Sequence, residues 1–236
     1  MIGLNMLSGG AAQGLVASLA VKFREHTGVE IKGEFGAVGV MAEQLRQGKP
    51  TDLVILTRAL VEKLAGENLV VSASIRDVGL VETALAVRAG DPRVSVSNAD
   101  DLRRALLAAD AIYLPDIKAS TAGLHVATVL DKLGVAEELA LRLKIHPNGA
   151  SAMRHLAASD AARPLGCTQS TEIIATQGVE LSGSLPRGYD LATMYTAGVT
   201  VQSAHATAAR TLIDLLTAAE AEGRRAQAGF LGAAGS

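Results

Sequence analysis

Tryptophan is absent from this 236-residue chain, and three Phe and three Tyr bring the aromatic share to only 3%. So few flat rings leave little to stack on a sugar face or a nucleobase. A single cysteine, Cys167, excludes an internal disulfide and a thiolate metal cluster. Charge of one sign is not in excess either: 22 Lys and Arg against 24 Asp and Glu leave a net charge of −2, with a pI near 6.2. That balance carries no footprint for nucleic acid or anionic lipid, so neither is expected as a partner. Every apolar run is broken by Gly, charge or polar residues before 18 positions, which excludes membrane insertion by a helix. Met1-Ile2-Gly3-Leu4-Asn5-Met6-Leu7 enters a strand with no basic region, apolar stretch or cleavage site before it. The expected location is therefore cytoplasmic if Met1 is the native start, and periplasmic if a leader has been removed.

What is present is a core. Hydrophobic residues make up 49% of the chain and charged ones 19%, which excludes disorder, and the length suffices for one large domain or two small ones. Strand and helix patterns alternate. Leu4–Leu7 reads as a strand before a helix over 11–26, Val29–Phe35 as a strand before a helix to Arg46, and Asp52–Leu56 as a strand before a helix over 59–65. An extended stretch follows at 78–89. A second set comprises a helix over 99–109, a strand over 111–114, a helix from Ser120 to Leu133, a segment over 142–146, a helix over 150–158 and a strand over 164–168, with a short helix from Gln169. A second extended stretch, 190–201, precedes a helix over 205–221, and the tail from Gly223, ending Gly-Ala-Ala-Gly-Ser, is expected to fray. Two long strands bracketing a middle α/β set predict two lobes: 1–80 plus 195–236, and an inserted 82–192. A single doubly wound sheet is the competing architecture.

Small or hydroxyl residues recur where strand gives way to helix: Ser8-Gly9-Gly10-Ala11, Gly36-Ala37-Val38-Gly39, Ser120-Thr121-Ala122-Gly123 and Asn148-Gly149. In parallel α/β sheets such turns lie at the carboxyl ends of strands, where ligands bind. Each helix start offers N–H groups and a partial positive charge to an anion. Ordinary N-capping by Ser, Thr and Asn explains any one of these turns equally well.

Leu4-Asn5-Met6-Leu7-Ser8-Gly9-Gly10-Ala11-Ala12 resembles the opening of the molybdate/tungstate-type solute-binding proteins, which have the type II periplasmic binding fold. Phe35-Gly36-Ala37-Val38-Gly39, Pro50-Thr51-Asp52-Leu53-Val54-Ile55, Thr121-Ala122-Gly123 and Leu130-Asp131-Lys132-Leu133-Gly134 are similar too, so the resemblance covers nearly the whole chain. It implies an α/β protein with mixed, mostly parallel sheets in two lobes, joined by two crossover strands and closing over an anion in the cleft. It also implies a monomer, and an ABC transporter permease as partner only if the protein is exported. The departures concern the ligand. Val38-Gly39 stands where the family carries paired serines, Gln169 where a tyrosine usually follows the strand, and Arg58 where an acidic residue is common. Fewer hydroxyls and an added guanidinium suit a carboxylate better than molybdate, although a solvated arginine at a helix start is an equal reading of Arg58.

Two functions follow. In the first, the chain captures a small organic anion, most simply a mono- or polycarboxylate. Ser8, Gly9, Gly10, Ala37, Val38, Thr57, Ser120, Thr121, Asn148 and Gln169 then surround the ligand and Arg58 supplies charge; molybdate or tungstate binding for transport ranks below it. In the second, the resemblance extends to the aconitate isomerase branch, and the chain is a cofactor-independent isomerase moving a double bond in an unsaturated tricarboxylate. Such a proton shift needs fixed carboxylates and groups that take and return a proton. His125 is the first candidate, with Tyr113 and His146 behind it; a histidine near a helix start also serves as a structural donor.

Other patterns are empty. His26, His146, His155 and His205 lack zinc-site spacing, so no metal is expected. Cys167 with His155 as a nucleophile pair is outweighed by Cys167 as a small buried hydrophobe. Gly9-Gly10 with Gly14 is not a dinucleotide fingerprint, and Pro50 interrupts Gly48-Lys49-Pro50-Thr51 as a P-loop. No cofactor is expected.

Overall fold

A computed structural model describes residues 3–232. The expectations attached to Met1 and to the last four residues fall outside them. The chain divides into two compact units, Met1–Val81 with Thr193–Ser236, and Glu82–Ala192.

The first unit is built on β1 (Gly3–Gly9), β2 (Glu30–Gly36) and β3 (Leu53–Thr57), with α1 (Gln13–Thr27), α2 (Val38–Arg46) and α3 (Arg58–Gly66) following them in turn. A single 3-10 turn, Gly10–Ala12, leads into α1. β1 pairs parallel with both β2 and β3. α1 buries Leu15, Val16, Leu19 and Phe23 at helical spacing, and it stops where Gly28 takes a left-handed φ of 68°. β4 (Arg76–Arg88) carries the chain out of this unit, and its return is β9 (Ala192–Val199), which pairs antiparallel with β3. α9 (Ala206–Thr217) then packs Leu212, Ile213 and Leu216 into the same core as Phe23, Leu53 and Val199.

Asp52 ties these pieces together. Its buried carboxylate accepts the Asn5 N–H (2.9 Å), the Ser203 hydroxyl (2.9 Å) and the His205 N–H (3.0 Å), joining β1 to the segment that opens α9.

The second unit holds α4 (Ala99–Ala108), β5 (Ala111–Pro115), α5 (Thr121–Lys132), α6 (Ala136–Leu139), β6 (Leu143–His146), α7 (Gly149–Ala157), β7 (Pro164–Gln169), α8 (Ser170–Ile174) and β8 (Val179–Ser184). β5 pairs parallel with β6 and β7, whereas β4 pairs antiparallel with β7 and β8. Leu85, Val87, Leu165 and Cys167 face one side, with Val126 and Val129 of α5; Ala84 and Ala86 face the other, with Met153 and Leu156 of α7. The fold is thus mixed α/β with parallel strands at the heart of each unit and antiparallel ones beside them.

Three features differ from the sequence reading. The sequence predicts no strand at β8, because Val-Glu-Leu-Ser-Gly-Ser is half-buried up to an exposed Ser184 and shows no clean alternation. α6 is a single turn, too short for a period to register. The tail does not fray from Gly223: α10 (Glu222–Gln227) continues the chain, Phe230 is buried in the first unit's core, and Leu231 exchanges backbone hydrogen bonds with Leu80 (2.8 and 3.2 Å).

Candidate functional site

In the first unit, β1, β2 and β3 run in one direction, with Gly9 opposite Gly36 and Ser8 opposite Ile55. Their carboxyl ends therefore share one edge of the sheet, and a helical turn starts at each, with Gly10, Val38 and Arg58 as first residues. None of the three preceding residues, Gly9, Ala37 and Thr57, makes a side-chain cap bond. The second unit is mixed, since α6 and α8 begin without a side-chain cap and three other helices have one. Asn98, Ser120 and Asn148 cap α4, α5 and α7 with their own side chains. Donors at the first unit's edge are thus left to backbone geometry alone, the arrangement that receives an anion.

The side chains around this edge are sparing. Ser8 is fully buried and its hydroxyl donates to Gly9 O (2.9 Å). Gly9 must lack a Cβ, since one would come within 2.8 Å of both Tyr195 Cε1 and Val38 Cγ1. That close approach brings the start of α2 against the end of β1. Ala37 and Val38 are buried and Thr57 is half-buried. Arg58 is 56% exposed, its Nε donating to Glu62 (2.9 Å) and its Nη1 to Asp77 (2.9 Å), so two carboxylates already offset its charge. Asp77 also accepts the Thr196 hydroxyl (2.7 Å).

In the second unit, Ser120 Oγ accepts the Gly123 N–H at 3.5 Å, and Thr121 opens α5 half-buried. Asn148 Oδ1 accepts the Ser151 N–H at 2.8 Å. The two other N–H groups of that turn, Gly149 and Ala150, donate to Glu172, a residue sequence reasoning did not single out. Glu172 is buried at the start of α8, and the Thr168 hydroxyl donates to its Oε2 (2.6 Å). A Cβ on Gly149 would run into this carboxyl group. Burial pushes the Glu172 carboxyl above its ordinary range, against the opposing pull of Thr168 and the backbone N–H groups of Gln169, Ala150 and Gly149. The α7 N-terminus therefore holds the protein's own carboxyl group. The only trace in sequence is an acidic residue four places after a strand threonine.

Gln169, at the end of β7, is 3% exposed, and neither end of its amide has a hydrogen-bond partner. Of the three proton-transfer candidates, Tyr113 and His146 stack on each other, and His125 is engaged with a different partner. His125 Nε2 lies 2.7 Å from the Tyr189 carbonyl, to which it donates. Tyr113 donates its hydroxyl to Ser159 Oγ (2.9 Å), beyond the C-terminus of α7 and thus at the opposite end of that helix from Asn148. His146 stacks on His155 with ring centroids 4.1 Å apart and on Tyr113 at 5.9 Å. Its Nε2 is buried without a partner, and burial, then the neighbouring His155, lowers its pKa. Cys167 is buried and its thiol is pushed up to about 12 by desolvation, which makes it inert.

Among the described residues no group of three or more His, Cys, Asp or Glu could hold a metal ion, and no helix is long and apolar enough to cross a membrane. Three cavities lie elsewhere: a groove of about 580 Å³ by His26 and His205, one of about 500 Å³ by Lys32 and Lys49, and an apolar pocket of about 310 Å³ by Val94 and Leu165.

Helix starts at the carboxyl ends of parallel strands in two α/β units define a small-ligand binding fold of the type II periplasmic kind. The profile of the bacterial extracellular solute-binding protein family matches residues 4–231, and the chain belongs to that family. It is 27% identical over 231 residues to an aconitate isomerase of Pseudomonas sp, covering 92% of this chain and 83% of that one. The periplasmic molybdate-binding protein of Azotobacter vinelandii superposes with a TM-score of 0.80 at 19% identity, over 97% of this chain and 98% of that one. A sulfate-binding protein of Mycobacterium tuberculosis gives a TM-score of 0.72 at 19% identity, over 99% and 88%. The family and the fold are thereby set, with anion binders among the relatives.

Proposed function

We propose that the chain binds a small organic anion, a mono- or polycarboxylate, at the carboxyl ends of its parallel strands. The observation that carries this reading is the shared edge of β1, β2 and β3, where three helical turns begin without a side-chain cap. Backbone N–H groups there are fixed, cost no rotamer entropy and meet an anion with partial positive charge. Arg58 is the nearest permanent cation to these turns in sequence, and its fork adds charge by exchanging Glu62 or Asp77 for the ligand. Few hydroxyls and a buried Ser8 favour carboxylate over tetrahedral oxyanions.

Thermal unfolding against citrate, the aconitates, succinate, sulfate, molybdate and tungstate tests this. A ligand at about 100 times its Kd adds roughly 2.7 kcal/mol, and a chain of this size then unfolds about 5–10 °C higher. A rise with carboxylates that Arg58→Ala diminishes is the expected result. A rise confined to molybdate and tungstate would overturn the ligand class.

The similarity to an aconitate isomerase supports a second reading, an allylic proton shift on a bound tricarboxylate. Of the three candidates, His146 has the features of a base, with a ring nitrogen that has no partner and surroundings whose burial lowers its pKa. Deuterium uptake by cis- or trans-aconitate in heavy water, followed by NMR, separates catalysis from capture. Loss of that uptake in His146→Ala, with His125→Ala active, would assign the role. Family membership also supports an exported protein that passes its anion to an ABC transporter permease.

A further inference from the structure

The apolar pocket of about 310 Å³ lies wholly within the second unit. Ala109 just precedes β5 and Pro164 opens β7, so the pocket sits at the amino ends of these parallel strands, away from the starts of α5 and α8. Its floor is Val87 of β4 and Leu165 of β7, both 2% exposed. One wall is α4, and another is the segment after β4 that carries Pro92 and Val94. The space follows from the sequence of α4. Leu102, Ala105, Leu106 and Ala109 fall on one helical stripe; the leucines fill the core, while the alanines line the pocket with single methyl groups.

Protein interiors are close-packed, and a void of this size collapses unless its walls are held. Here polar contacts hold them. The Ser182 hydroxyl accepts the Val94 N–H (2.7 Å) and donates to the Val94 carbonyl (3.0 Å). Arg88 donates to the Asp91 carboxylate (3.1 Å) and to the carbonyls of Ser159 (2.6 Å) and Ala161 (3.4 Å). One guanidinium thus ties the segment after β4 to the segment that leads into β7. Asp110 accepts the Arg163 N–H (3.1 Å) and Nη2 (2.9 Å), which fixes the entry to β7. The same contacts pair both charged residues of the lining, Asp91 and Arg163, so a charged occupant would lose its water without gaining a free counter-charge. The volume is at the lower end of small-ligand pockets and roughly twice the ~150 Å³ that admits benzene. Alanine methyls, two proline rings and a flat guanidinium offer low surfaces on which a ring can stack.

We propose that this pocket is a second binding site, for a planar, uncharged aromatic molecule of one or two rings. It is complete within the second unit and is independent of the carboxylate reading above. A preformed pocket of this kind favours a rigid ring over a flexible chain, because the ring has less freedom to lose on binding.

The test is calorimetric titration of the whole chain with indole, and with n-hexanol as the flexible counterpart. Wild type binds indole saturably with a Kd below about 1 mM, and n-hexanol several-fold more weakly. Ala105→Leu fills the pocket from the α4 wall; it weakens indole about tenfold or more and leaves the unfolding midpoint no lower than that of wild type. If Ala105→Leu does not fold, nuclear Overhauser effects from indole to the methyl groups of Val94 and Leu165 in wild type supply the location instead. The absence of saturable indole binding overturns the site. Indole affinity that survives Ala105→Leu, or Overhauser effects confined to other methyl groups, overturns its location. Binding of n-hexanol as tight as that of indole overturns the ring class.

Discussion

Replacing Glu172 by Gln keeps the shape of a side chain that sits against the start of α7 and removes its charge. The native carboxyl receives the Thr168 hydroxyl and the N–H groups of Gln169, Ala150 and Gly149, yet burial outweighs them and raises its pKa above 4.5. Two opposed forces act here. Backbone donors favour the carboxylate, as they do at any helix start, while removal from water favours the neutral acid. If burial wins, the folded protein above pH 4.5 retains a proton that the unfolded chain has released. Native protein then holds more protons, and stability falls as pH rises, by up to about 1.4 kcal/mol per pH unit until the folded-state pKa is passed. Stability is fully present below pH 4.5 and lost upward through that window. Urea unfolding of wild type and Glu172→Gln at half-unit steps from pH 4 to 8 isolates the effect, because every other titration cancels in the difference. The expected outcome is a variant that gains on wild type as pH rises. A wild type that gains on the variant instead would show that the helix N–H groups dominate, and would refute burial as the controlling force.

Asp52→Ala removes a buried carboxylate that accepts three hydrogen bonds and leaves the Asn5 N–H unserved, while the His205 N–H keeps Ser203 Oγ (3.1 Å), so urea unfolding should show a loss of about 3 kcal/mol. Asn98→Ala removes the cap on the Asp101 N–H (2.9 Å) and should cost about 1 kcal/mol by the same assay. Cys167, with its thiol near 12, should resist a disulfide reagent at pH 8 in the native state and react at once in urea; rapid native labelling would contradict its burial. His155→Ala should raise the His146 pKa, read by NMR titration, because one of the two causes that lower it disappears. A depressed His146 holds fewer protons when folded, so its contribution to stability is present above about pH 6.5 and is lost as pH falls toward the folded-state value.

Strands and helices were legible wherever a period ran long enough. The α1 stripe of Leu15, Leu19 and Phe23 signals itself because burial on one helix face demands that spacing, and the continuous β3 run Leu53–Leu56 because a strand buried on both faces is apolar throughout. Val179–Ser184 did not, because β8 pairs on one side and buries neither face fully. The recurring strand-to-helix turns were equally legible, but their chemistry was not. Ser120 and Asn148, read from sequence as ligand donors, each accept a backbone N–H of their own helix, whereas Ala37, which offers no side-chain group, precedes an uncapped start. Whether a cap residue turns inward to its helix depends on φ, ψ and rotamer, and no residue letter records those.

The same reasoning separates the two units by what each offers a ligand. The first presents backbone N–H groups around uncapped starts, which reward negative charge and nothing finer. In the second unit, taken by itself, Glu172 sits against the α7 start and Ser120 caps α5. Charge attraction discriminates poorly among small acids, because every carboxylate brings it. Substitutions at Arg58 should therefore shift the affinities of all small acids together, and a titration series that Arg58→Ala reorders instead of shifting uniformly would refute this.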